Sequence, residues 1–251
     1  MTTIAFGNKY AERFKKAKER FISSEKLNEC IGMNDGEKLK IAVSRAWKDL
    51  FLMNINGIKN ITGKAGNKSE LMTKMGNLFG ECFSVFTQDY NEACPDGSAF
   101  NEVHRKLCHA FLNAMADGTG ADCEEFSNAY FGLAQKFVNM TFKYLYCMEY
   151  QPQSPIYKYC HMPLDKYTLR WFYKKTGIYI DGWQAISEEL YYRLQNDIYK
   201  LADPSAVGLS LLESEFVIWQ DAKDGTVKCN IAYDAYVELQ EKIKADSIFS
   251  F

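Results

Sequence analysis

Apolar residues in this chain recur three and four positions apart through long stretches, while alternation with a period of two is confined to short pieces such as Ile178-Tyr179-Ile180. The first pattern lines one stripe of a helix with hydrophobic side chains, and the second is what a half-buried strand requires. The expected fold class is therefore all-α. Predicted helices cover residues 8–28, 36–53, 68–93, 98–117, 122–148, 166–175, 184–201, 209–221 and 230–246. Their stops and starts are marked by Asn67 and Ser69, by Asp96-Gly97-Ser98, by the Asp117 to Gly120 turn and by Asp203-Pro204. Between residues 150 and 163, Pro152, Pro155 and Pro163 interrupt the helical pattern. No internal repeat or low-complexity tract is visible.

Hydrophobic residues make up 47% of the 251 positions, with 17 Phe and 16 Tyr, which is ample material for a core and argues against disorder. The expected organisation is a single all-helical unit over 1–251, in which two lobes meet around a cleft near 132–165. Nowhere do about 18 apolar residues run without charge, so neither a signal peptide nor a membrane span is expected. The expected address is cytoplasmic. Eight irregularly spaced cysteines in so large a chain read as reduced, packed thiols rather than a disulfide framework. The net charge of −2 conceals an asymmetry. Residues 1–75 hold 15 Lys/Arg and 8 Asp/Glu (15 − 8 = +7), leaving −9 for the rest. That basic third suits either phosphate contact or a solvated helix face.

The stretch 128–172 carries the most chemistry. Gly132-Leu133-Ala134-Gln135-Lys136 leads into an apolar helix, the proline-rich loop follows, and His161-Met162-Pro163-Leu164-Asp165 opens the next helix. A lysine near a helix start, between Phe131 and Phe137, is expected to be desolvated and to feel the positive end of the helix dipole, both of which favour the nucleophilic neutral amine. Asp165, just before a helix, is expected to accept backbone N–H bonds and stay ionised; an ordinary N-cap is the plainer reading of the same residue. Lys143, two turns beyond Lys136 on the same face, is the reserve nucleophile.

This order of motifs resembles the helix-hairpin-helix DNA glycosylase superfamily, and the lysine-bearing helix with Gln135, Lys136 and Lys143 is most similar to its archaeal 8-oxoguanine branch. The resemblance covers some 45 residues. Ala134 stands where the hairpin usually has its second glycine, and the separation of Lys136 from Asp165, 165 − 136 = 29 positions, is longer than the common spacing. The four-cysteine cluster signature of some relatives is missing. The resemblance implies excision of a damaged, 8-oxoguanine-like base in base-excision DNA repair: Lys136 attacks the sugar, Asp165 supports it, and a lysine Schiff base permits strand nicking by β-elimination. It implies double-stranded DNA bearing a lesion as partner, a monomer, and no cofactor.

A flipped base needs a stacking surface and polar contacts. Trp171 and Trp183 are candidate platforms, and Gln135, Asn139, His161 and the backbone at Gly132 candidate base or DNA contacts; each has an easy structural alternative as core anchor, cap or satisfied polar group. His104, Cys108 and His109, with Cys160-His161, make a weak zinc pattern without a paired Cys-x-x-Cys, so no metal is expected. Two other classes stay open: a non-catalytic helical nucleic-acid-binding or protein-interaction module, and a purely structural helical protein.

Overall fold

A computed structural model describes residues 3–51, 68–86, 97–119 and 123–224. Its elements are α1 (Thr3–Ser24), α2 (Asp35–Phe51), α3 (Lys68–Val85), α4 (Ser98–Thr119), α5 (Cys123–Cys147), the single turn α6 (Ile156–Tyr159), α7 (Lys166–Thr176), α8 (Glu188–Ala202) and α9 (Leu211–Lys223). Short 3-10 turns lie at Asn28–Cys30, Trp183–Ala185 and Pro204–Val207. Among the described residues there is no strand, and the protein is all-α. The predicted helix at 230–246 lies outside the described residues. Ile178 to Ile180, the one short alternating piece, is irregular chain. Four spans differ from expectation: the helix predicted over 8–28 runs from Thr3 to Ser24, the one predicted over 68–93 ends at Val85, the one predicted from 184 begins at Glu188 after a separate 3-10 turn, and the stretch from 150 to 163 contains α6.

The ends of the later helices follow from their residues. Asp165 caps α7 and Gly177, with a φ of 74°, terminates it in the left-handed conformation. Ser187 caps α8, and Ser210 with Glu213 forms a reciprocal capping box on α9.

Helix α5 is the axis of the molecule. It packs along α2 on one side and α4 on another, with α3 bridging those two, while the Trp183–Ala185 turn lies across its N-terminal half; α1 and α7 both pack on α9. Every residue from Phe131 to Leu145 is buried. A helix enclosed all round is normally apolar all round. This one carries Gln135, Lys136, Asn139, Thr141 and Lys143 in its enclosed part, and each needs a partner inside the fold. The aromatic residues close the space between helices: Phe111 stacks on Phe137 at 4.4 Å, Phe79 meets Phe142 edge-on at 5.1 Å, and Phe21 packs on Tyr144.

Among the described residues, no helix is long and apolar enough to cross a membrane. Cys30, Cys82, Cys108, Cys147 and Cys160 are free thiols. Burial pushes the Cys82 and Cys147 thiols up to about 12, which keeps them protonated.

Candidate active site

Tyr130 interrupts α5 with non-helical backbone (φ −128°, ψ 16°), and the helix resumes at once. Gly132 follows in the resumed helix. A Cβ on Gly132 would overlap the Trp183 carbonyl oxygen and lie 2.6 Å from that of Gln184. The glycine thus serves close backbone approach, bringing the Trp183–Ala185 turn onto α5. The Gly132 to Lys136 segment is helical throughout, so the break before Lys136 is a kink at one residue and not an open hairpin loop.

From this start, positions 132, 135, 136, 139 and 143 fall along one face of α5. Gln135 binds the segment that carries Asp165: its Nε2 donates to the Leu164 carbonyl at 2.8 Å and to the Gly132 carbonyl at 2.9 Å, and its Oε1 accepts from Leu164 N–H at 3.1 Å. One amide therefore fixes the chain just before α7 against α5. Lys136 Nζ then reaches Asp165 Oδ2 at 2.6 Å, with the two side chains 8% and 7% exposed. The other carboxylate oxygen, Oδ1, accepts from Tyr167 and Thr168 N–H, and Thr168 Oγ1 in turn accepts from Asp165 N–H. Asp165 is consequently both helix cap and ion-pair partner, and the two readings of the sequence describe one residue doing both.

Burial pushes the Asp165 carboxyl up, but the adjacent Lys136 ammonium and the hydrogen bonds from Lys136, Thr168 and Tyr167 outweigh it and hold the group below its ordinary value. The resting state is an ion pair.

A second buried pair lies two turns along α5. Lys143 Nζ sits 2.5 Å from Glu215 Oε2, both side chains 1% exposed, and the ammonium is 4.2 Å from the Phe21 ring centroid and 4.5 Å from that of Phe216. Burial pushes the Glu215 carboxyl up, only partly offset by Lys143, and Glu215 Oε1 has no hydrogen-bond partner. Glu215 was not foreseeable as a site residue from its type alone. The available signal was its place in Leu211-Leu212-Glu213-Ser214-Glu215-Phe216-Val217-Ile218, where a carboxylate falls on the apolar stripe. Asp49, whose carboxylate accepts from Tyr144 OH at 2.9 Å, adds a third acid near these lysines.

The remaining polar candidates form a chain beside the pair. Asn139 Nδ2 donates to Gln135 Oε1 at 3.2 Å and to Tyr191 Oη at 2.8 Å; Tyr191 Oη also lies 2.9 Å from His161 Nδ1 and 3.1 Å from His104 Nε2. Tyr192 Oη donates to the Asn101 carbonyl and so accepts from His104 Nδ1–H. His104 Nε2 is then an acceptor for the Tyr191 hydroxyl, and His161 must carry its proton on Nδ1. Burial holds His104 well below its usual value and His161 down to about 3, so both imidazoles are neutral. Tyr191 was missed in the sequence; its spacing with Leu194, Gln195 and Ile198 on α8 placed it on the buried stripe.

Trp171 and Trp183 are buried, 9% and 3% exposed, with their faces packed against protein. The zinc pattern is dispersed: His104, Cys108 and His161 are neighbours, but His109 is turned to Glu188 at 2.8 Å. Among the described residues no three His, Cys, Asp or Glu side chains form a group that could hold a metal ion. Of the basic N-terminal third, Arg13 and Arg20 are bound to Asp221 and Asp224 on or beside α9, Lys16 to Glu12 and Arg45 to Glu25. These are surface pairs, and only Arg13 and Arg20 are matched by acids from outside that third. No family model, curated protein or solved structure matches the chain.

Proposed function

We propose that the protein is a DNA glycosylase with lyase activity, acting on a damaged or modified base through Lys136 and Asp165. The observation that supports this reading is the 2.6 Å contact between two side chains 29 positions apart, enclosed in a core where a charged pair is not the stable choice. Hydrophobic residues of similar volume at such positions are often as stable or more so, by about 1–4 kcal/mol. A pair kept there despite that cost fits chemistry better than scaffolding.

In the proposed reaction Lys136 passes a proton to Asp165 and its amine attacks C1′ of an extruded nucleotide. The bond from C1′ to the base nitrogen breaks, its electron pair leaves on the base, and the proton held by Asp165 goes with it. The aminal proton then moves to O4′ as the sugar ring opens to a Schiff base, from which loss of a C2′ proton expels the 3′ phosphate. Gln135 holds Leu164, and thereby Asp165, in register for this exchange.

Borohydride reduction in the presence of lesion-bearing duplexes, followed by peptide mass mapping, tests the reading. A covalent adduct on Lys136 that disappears in Lys136→Ala is expected. An adduct that survives in both Lys136→Ala and Lys143→Ala refutes the chemistry.

One observation favours a second reading. The ion pair is closed, and Asp165 is fully occupied as a cap. A non-catalytic nucleic-acid-binding or interaction module would keep such a pair to join α5 to α7. Salt-dependent affinity for undamaged duplex without any trapped adduct supports that alternative.

A further inference from the structure

A cleft of about 770 Å³ opens between α6, the C-terminal part of α8 and the start of α9, away from the Lys136–Asp165 pair. Its volume falls within the roughly 300–1,000 Å³ of small-molecule sites. We propose that this cleft binds a nucleotide, its base on the tyrosine rings of the wall and its phosphate at Lys158.

The wall includes Tyr157, Tyr159 and Tyr199, the last 48% exposed, and aromatic rings suit a planar ligand better than a flexible chain. Polar capacity is left over among them. The exposed Asn196 amide stands in the wall, where it can both donate and accept. His161 gives its Nδ1 proton to Tyr191, so its second ring nitrogen is an acceptor, and burial keeps the ring neutral. An acceptor nitrogen and an amide that both donates and accepts match the edge of a nucleobase.

Charge distinguishes a nucleotide from a nucleoside. Lys158 has no carboxylate partner among the described residues; its ammonium lies 5.1 Å from the Tyr159 ring centroid. The carboxylate that lines the cleft, Glu213, is already held by the Tyr146 hydroxyl and the Ser210 N–H. Among the described residues the wall holds one cation, Lys158, without a carboxylate partner, and one carboxylate, Glu213, turned to the Tyr146 hydroxyl and the Ser210 N–H. Neither Lys136 nor Asp165 lines the cleft, although His161 in its wall is joined to Gln135 through Tyr191 and Asn139, and ligand binding there does not require the Lys136 chemistry.

Binding to the intact chain is measured calorimetrically with AMP, with adenosine and with a short oligodeoxyadenylate, no lesion being present. Saturable one-to-one binding of AMP is expected. Tyr199→Ala, at a 48% exposed position, should weaken AMP and adenosine alike by about tenfold, the scale of one lost stacking contact. Lys158→Ala should weaken AMP and leave adenosine unchanged. Binding of the oligonucleotide in place of AMP, with the same sensitivity to both variants, identifies a nucleotide within a strand as the natural ligand. No saturable binding of any of the three, or binding indifferent to both substitutions, overturns the proposal. Both positions are at the surface, and unchanged melting of the variants separates a lost site from a lost fold.

Discussion

Replacing Asp165 by Asn removes one charge from the enclosed pair while keeping most of the helix cap. Asn side chains cap as well as Asp, so the bonds from Tyr167 and Thr168 N–H, worth about 1 kcal/mol together, should largely persist. What is lost is the counter-charge 2.6 Å from Lys136 Nζ, and the side chains are too enclosed for solvent to replace it. Leaving a buried charge unpaired costs about 3–5 kcal/mol, which sets the expected destabilisation of Asp165→Asn. Lys136→Met should cost less, because Asp165 keeps its two backbone donors. The double variant Lys136→Met with Asp165→Asn should then recover stability relative to Asp165→Asn alone, giving a coupling of at least about 2 kcal/mol. Urea unfolding at pH 7, with the slope checked for constancy across the four proteins, measures it. Additive losses, with a coupling below about 0.5 kcal/mol, would mean the two groups do not share their charge in the folded state.

Gly132→Ala would gain about 1 kcal/mol in helix propensity at an open site, but the new methyl overlaps the Trp183 carbonyl; a fall in melting temperature is expected, and a rise would refute the close approach. His104 and His161 are held neutral below their unfolded value near 6.5, so the unfolded chain binds more protons as pH falls and stability drops with it. With His161 at about 3, lowering the pH from 6.5 to 5 should cost about 2 kcal/mol for that residue and a similar amount for His104. Unfolding titrations across that range should show uptake of about two protons, and a flat profile would contradict neutral imidazoles. Lys143→Met leaves Glu215 enclosed without its cation and should destabilise by about 3 kcal/mol, whereas Lys143→Met with Glu215→Leu should recover at least about 1 kcal/mol of that loss. Equal losses in both would show that Glu215 does not rely on Lys143.

The helices could be placed from the sequence because their signal is local. Periodicity, Ser and Asp caps, and the Gly177 and Pro204 stops all act within a turn or two of the residue concerned. Lys136 and Asp165 were singled out together through the resemblance, and their side chains lie 2.6 Å apart. Three features escaped. The Tyr130 kink stands where the resemblance implies a hairpin, and the close approach that requires Gly132 comes from the Trp183 turn about fifty positions away, which only three-dimensional packing makes visible. Glu215 and Tyr191 were hidden for the same reason: a polar residue on an apolar stripe gains its role from a partner on another helix. Trp171 and Trp183, singled out as stacking platforms by residue type, lie in the core, where large aromatic residues are most often used to fill space.

On the proposed chemistry, the closed ion pair is a starting state and not an obstacle. Asp165 lies below its ordinary value because a cation and two backbone N–H groups face it. Moving the lysine proton onto it is therefore unfavourable while the site is empty. A sugar losing its base develops positive charge at C1′, and that charge can take over from the ammonium as the partner of Asp165. As Asp165 hands the lysine proton on to the departing base its carboxylate again has a cation beside it, and the cost of freeing the amine would be met only as the glycosidic bond breaks, where differential stabilisation accelerates a reaction. The backbone cap matters to this exchange, since the N–H groups of Tyr167 and Thr168 hold the carboxylate in place while its cation changes. Shortening Thr168 to Ala, which removes the Oγ1 contact to Asp165 N–H but no charge, should lower the rate of borohydride-trappable adduct formation more than it lowers duplex affinity. An equal fall in both would place Thr168 in the scaffold alone and leave the cap without a part in the chemistry.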